Sequence, residues 1–116
     1  MAALEQLTRI AESLPDGEVT RHDRHARLAV RGRTFAWLTD DHHGDGVLGV
    51  TMKATPEEGE MLLADAPDRF YRPSYLGARG WIALRLDTGK VDWDEVADLV
   101  TGSYRLVAPK RLVRDL

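Results

Sequence analysis

Hydrophobic positions at the start of the chain recur with helical spacing. Leu4, Leu7, Ile10, Ala11 and Leu14 lie at offsets of 0, 3, 6, 7 and 10, a stripe along one helix face. Pro15-Asp16-Gly17 ends the stripe, since proline cannot continue a helix and glycine readily takes the left-handed exit conformation. A first helix over about residues 2–14 is predicted. From Val19 to Lys53 the period shortens to two. Leu28 and Val30 alternate with Arg27, Ala29 and Arg31, and Arg31-Gly32-Arg33 reads as a tight reversal before the strand Phe35–Leu38. A polar turn over Asp40–Gly46 leads to a strand over Val47–Met52, and residues 19–23 add a strand of weaker pattern. Strands this closely spaced pair antiparallel, because a parallel return needs a crossover of about a dozen residues or more.

The period then returns to that of a helix. Thr55-Pro56-Glu57-Glu58 is a strong start: a capping threonine, a proline suited to the first helical position and a glutamate three residues after the cap. Met61, Leu62 and Leu63 supply its apolar side, and Pro67 ends it. Residues 67–80 read as an irregular connection rich in Pro, Gly and Tyr, followed by a strand over Trp81–Leu86 and a turn at Asp87-Thr88-Gly89. Asp92 and Glu95 form a second capping box, and Trp93, Val96, Leu99, Val100, Tyr104 and Val107 carry a long helix to about Ala108. The expectation is one α+β domain over residues 1–116. It has an antiparallel sheet of about five strands with helices mainly on one face, in the order α-β(3-4)-α-β-α.

Composition narrows the picture. With 43% hydrophobic and 30% charged residues in 116, the chain suits one globular domain. The absence of cysteine excludes a disulfide framework and a thiolate metal site or nucleophile. No apolar run reaches the roughly 20 residues of a membrane span, and no secretion signal is visible, so a cytoplasmic location is expected. The net charge of −3 argues against attachment to DNA through the overall field. Its distribution is uneven. Arg21–Arg33 holds five arginines against Asp23, Arg105–Arg114 holds four basic residues and no acid, and Asp40–Asp68 holds eight acids against Lys53.

Several motifs in order resemble the MmcQ/YjbR family of small bacterial α+β domains. They are Ser13-Leu14-Pro15, Val30-Arg31-Gly32-Arg33-Thr34-Phe35-Ala36, Thr55-Pro56-Glu57-Glu58, Tyr71, Tyr75, Gly77, Arg79, Gly80 and Trp81, then Ser103, Tyr104 and Ala108-Pro109-Lys110-Arg111-Leu112. The resemblance implies a fold similar to secretion chaperones, in what is sometimes called a double-wing arrangement, and members are often labelled DNA-binding. The turn Asp40–Asp45 departs from it in length and in its His and Asp content.

Candidate chemistry falls into four groups. Asp40, Asp41, His42, His43 and Asp45, with the His22-x-x-His25 pair, are ligand-type residues, but neighbours at a hairpin tip point apart, so a solvated turn and no metal is expected. The serines lack a nucleophile elbow and there is no phosphate-binding loop, so no enzyme and no cofactor is expected. Strand alternation places Arg27 and Arg31 opposite Leu28 and Val30, and Trp81 and Arg85 opposite Ile82 and Leu84. With Arg33, Arg79, Lys110 and Arg111 these arginines are the candidate contacts to DNA phosphates, and Trp81 either stacks a base or packs beneath the 67–80 loop. Tyr71, Arg72, Tyr75, Gly77 and Trp81 are the candidate loop for a protein or a small anionic ligand, with Arg72 and Arg79 at its mouth. Alternatively, the glycines supply only backbone angles, and Arg79 braces the loop through carbonyls or an acid such as Asp68. A monomer or weak dimer is expected.

Overall fold

A computed structural model describes residues 3–41 and 44–116. Helix α1 (Ala3–Glu12) is followed by β1 (Gly17–His22), β2 (His25–Val30), β3 (Arg33–Asp40) and β4 (Leu48–Lys53). Then come α2 (Pro56–Asp65), β5 (Phe70–Tyr71), a 3₁₀ turn over Leu76–Arg79, β6 (Trp81–Arg85), α3 (Trp93–Val107) and α4 (Lys110–Val113). All pairings are antiparallel, in the order β1-β2-β3-β4-β6-β5. The fold is the α+β class expected, with six strands where about five were expected. The additional strand is β5, a two-residue pairing inside the segment read as irregular. It is too short to show a period.

Helices α1 and α3 cover one face of the sheet, against β1–β2 and β3–β4 respectively. That face carries Ala26, Leu28, Leu38, Val50, Met52, Ile82 and Leu84, all buried. Leu4, Ile10, Leu48 and Leu99 pack around this core while staying partly exposed. Thr55 caps α2 by accepting from the Glu58 amide, and Asp92 caps α3 by accepting from Asp94 and Glu95. Helix α2 buries none of its residues fully, and Met61 remains 57% exposed because α2 sits beside the short edge strand β5. Pro109 breaks the final helix, and α4 follows it to seat Leu112 in the core.

Two backbone positions differ from the sequence expectation. The left-handed residue after α1 is Asp16, with φ 57, rather than Gly17. Gly17 is instead required by space, since a Cβ there would lie 2.0 Å from the Ala11 carbonyl oxygen. Arg31 and Gly32 both take positive φ, as a two-residue hairpin of the type I′ class requires.

Between β2 and β3 the register slips: Leu28 pairs with Ala36, but Ala29 pairs with Thr34. Phe35 is therefore an extra residue, a bulge that turns both Phe35 and Ala36 into the core. The β3–β4 pairing stops at Ala36 and Met52, one step before Phe35 would meet Lys53. Ser103 of α3 fills that step. Its hydroxyl donates to the Phe35 carbonyl at 2.6 Å and accepts from the Lys53 amide at 2.9 Å. Next to it, Tyr104 packs edge-on to the Phe35 ring at 5.4 Å, and its hydroxyl donates to the Pro15 carbonyl at 2.6 Å. Arg69 adds a two-pronged bond to Glu95 that ties the β5 entry to the start of α3.

Ser103→Ala should be more damaging than its small volume change suggests. It leaves a buried carbonyl without its donor and a strand amide without its acceptor, at a cost of about 1–3 kcal/mol. In a domain of this size that lowers the melting temperature by several degrees, at about 4–8 °C per kcal/mol. Thermal melts of the variant against wild type check this, and an unchanged midpoint would contradict the role given to the Ser103 hydroxyl.

Candidate functional site

On the face away from α1 and α3, cross-strand pairing sets a polar and aromatic row. Thr20, Arg27, Trp37, Thr51, Ala83 and Tyr71 follow one another from β1 to β5. Over the Trp37, Thr51 and Tyr71 part of this row lies a cleft of about 630 Å³. Its floor includes His22, His25, Trp37, Thr39, Thr51 and Tyr71, its near wall Asp45 and Val47, and its far wall the segment Arg72–Leu76.

Most of the floor side chains have a definite neighbour. The His22 and Trp37 rings lie 5.7 Å apart, tilted by 52°. His25 Nδ1 accepts from the Asp40 amide, which in the neutral ring leaves Nε2 as the donor. Thr39 donates to the Gly49 carbonyl. The Tyr71 phenol crosses β4 at Gly49, where a Cβ would come within 2.6 Å of its oxygen. Only glycine leaves room for that crossing. Burial, followed by the charge of Asp45, raises the Tyr71 phenol above its ordinary pKa of 10.0.

The far wall is a constrained loop. Arg72 bonds Glu60 of α2 at 2.6 Å, and the Gly77 amide donates to the Pro73 carbonyl. Gly77 supplies closeness rather than an unusual angle: a Cβ there would lie 3.2 Å from Arg72 Cβ. Gly80 supplies the angle, with φ 87 after the 3₁₀ turn. Tyr75 takes φ 65 and ψ −55, with the Leu76 amide donating to the Ser74 carbonyl at 2.7 Å. That is a γ-turn, a strained conformation for a residue with a side chain. It leaves Tyr75 81% exposed at the rim.

Tyr71, Arg72 and Tyr75 thus line the cleft, while Gly77, Arg79 and Trp81 are not among its lining residues. Trp81 is half-buried, paired with Lys53 at the start of β6. Arg79 is exposed and makes no hydrogen bond or ion pair among the described residues, so it does not brace the loop. The basic residues do not form one face. Arg27 bonds Thr34 and the Gly32 carbonyl, Arg31 pairs with Asp16, and Arg85 pairs with Asp87. Arg33 is exposed at the start of β3, and Lys110 and Arg111 ride on α4, whose Leu112 faces the helix-covered core.

In the Asp40–Asp45 turn, His42 and His43 lie outside the described residues. Asp41 accepts from the Gly46 amide and Asp45 from the Val47 amide, so both carboxylates serve the turn itself. Among the described residues no group of three metal-ligating side chains converges.

The YjbR family model matches residues 11–106. The chain belongs to the YjbR family. A crystal structure of Deinococcus radiodurans protein DR2400, with domain DUF419, is 27% identical with a TM-score of 0.74, covering 91% of this chain and 78% of that one. A Pseudomonas syringae protein structure, 18% identical with a TM-score of 0.68, covers 91% of this chain and 98% of its own and shares the fold. Among curated proteins none matches this sequence. Among the described residues of this YjbR domain, no helix is long and apolar enough to cross a membrane.

The sequence pointed to the cleft's far wall and to Tyr71 on its floor, and it named His22 and His25 only as ligand-type residues, while Trp37, Thr39 and Thr51 were missed. Trp37 and Thr39 alternate with Leu38, yet the bulge at Phe35 hides their phase from a pattern that starts upstream. The available signal was a tryptophan flanked on both sides by core residues, Ala36 and Leu38.

The raised Tyr71 phenol predicts alkaline sensitivity. An unfolded tyrosine ionises at about pH 10 while the folded phenol keeps its proton, so this group's contribution is intact below that pH and is lost as pH rises through the folded value. Urea midpoints measured from about pH 8 to about pH 11 should fall more steeply in wild type than in Tyr71→Phe. Buried Tyr104, also raised by burial, supplies the remaining slope in that variant. Parallel curves for the two proteins would contradict the assignment.

Proposed function

We propose that this YjbR domain is a binding module whose site is the cleft on the open sheet face. Its ligand is a small molecule bearing a flat, uncharged unsaturated ring. The observation that carries this is the aromatic lining: Trp37 and Tyr71 on the floor with Tyr75 at the rim. Aromatic faces reward a flat ring, by about 1–3 kcal/mol per stacked base in nucleic-acid sites.

Electrostatics select against a strongly charged ligand. Arg72 is already matched by Glu60, and Asp45 stands on the opposite wall, so an incoming anion meets no uncompensated cation in the lining. Binding rather than catalysis is supported by the engagement of the polar groups. Thr39 serves Gly49, His25 serves Asp40, and Asp45 serves Val47. Duplex DNA is the weaker alternative, because Arg27, Arg31 and Arg85 are spent on neighbours while Lys110 and Arg111 sit on the helical side.

Amide NMR spectra titrated with uncharged ring compounds, and separately with duplex DNA at low salt, test the two. Ring compounds should shift amides in β3, β4 and the 71–76 segment, and Trp37→Ala should weaken them roughly fivefold or more, as loss of about 1–3 kcal/mol of stacking implies. DNA binding alone would overturn the proposal if it were unaffected by Trp37→Ala and fell with salt at a log–log slope of about −0.9 per phosphate contact.

A further inference from the structure

Strand β1 is the long free edge of this sheet. At the opposite edge β5 has only two residues, whereas β1 runs for six, Gly17–His22, in unbroken register with β2. No described strand pairs with its outer side, and Glu18, Thr20, Arg21 and His22 are exposed. The strand has no proline and no bulge, two of the usual devices that blunt an edge.

We infer that β1 docks a second copy of this chain, the two β1 strands pairing antiparallel about a two-fold axis at Thr20. An axis normal to the sheet keeps both open faces on the same side, so only residues of equal phase can oppose one another. Thr20 then meets Thr20, Val19 meets Arg21, and Glu18 of each copy meets His22 of the other. The Thr–Thr pair and the Glu–His pair are favourable cross-strand partners, and no like charges oppose.

The neighbouring register is worse. Moving the axis to Val19 sets Asp16 against His22, and Asp16 is already held by Arg31 at 2.6 Å. Arg21, an inward-facing charge of the kind that can guard an edge, does not block the favoured register. It points to the helix side, where it lines a hollow with Asp23 and Asp40, and it opposes only a valine.

This pairing would reach the cleft. His22 is a floor residue in ring contact with Trp37, so the carboxylate of Glu18 from the second copy would accept a hydrogen bond from an imidazole that lines the site. The two clefts would open on the same side of one continuous sheet. A single strand edge is small beside the roughly 1,200–2,000 Å² of a standard interface, so association should be reversible and concentration-dependent.

Sedimentation equilibrium of the full chain from about 10 μM to about 1 mM tests this, over the range where small interfaces associate. The mass should climb from 13.0 kDa toward twice that value. Thr20→Lys puts like charges on the axis and should weaken association roughly tenfold or more. Glu18→Lys should also weaken it, and Glu18→Lys with His22→Glu should restore it by reversing the pair. Melting curves confirm that each variant is folded, which is expected for exposed positions. A wild-type mass of one chain at the highest concentration, association unmoved by Thr20→Lys, or failure of the reversed pair to recover would each overturn the inference. None of these readouts uses a ligand, so they stand apart from the test of the cleft.

Discussion

The hydroxyl of Ser103 is where the sheet and its helical layer are joined. The ladder between β3 and β4 ends at Ala36 and Met52, and the hydroxyl enters at the step where Phe35 and Lys53 would have met. A buried strand end without partners would be costly, and a side chain that both donates and accepts removes the cost at one point. The same turn of α3 presents Tyr104, which packs on Phe35 and bonds the Pro15 carbonyl in the connection from α1 to β1. Two consecutive residues therefore fix α3 against the bulge and against the start of the sheet. With α1 and α3 committed to one face, the other face is left for the cleft.

Much of this architecture was legible in the chain. The stripe of α1, the alternation of β2 and the N-caps at Thr55 and Asp92 are local patterns, and each appears where its spacing puts it. Features that depend on partners were not legible. β5 exists only because β6 lies beside it, and the phase of β3 depends on a bulge whose signature is a pairing rather than a residue type. Gly17 and Gly77 illustrate the same divide. Glycine in a turn suggests a special angle, but at both positions the constraint is crowding by another residue, the Ala11 carbonyl at Gly17 and Arg72 at Gly77.

The charges follow a local logic. Arg31 with Asp16, Arg69 with Glu95, Arg72 with Glu60 and Arg85 with Asp87 each neutralise a neighbour at the surface or its margin. Exposed pairs of this kind contribute little to stability, about 0–1 kcal/mol each. Their larger effect is on the surface field: basic segments that look concentrated along the sequence are dispersed and partly cancelled in space. The candidate site is distinguished by ring faces and hydroxyls instead of net charge.

Gly49 carries a meaning that extends past this one chain. The Tyr71 ring crosses β4 only because residue 49 has no side chain, and that ring forms one end of the cleft floor. A family member with alanine or anything larger there could keep the sheet, since its backbone pairs normally with Thr39 and Arg85. It would have to send the tyrosine elsewhere, into the space a ligand would use or out into solvent. The residue opposite Thr39 on β4, read together with an aromatic on β5, is therefore a sequence marker that sorts YjbR domains into those that can share this cleft and those that keep only the scaffold.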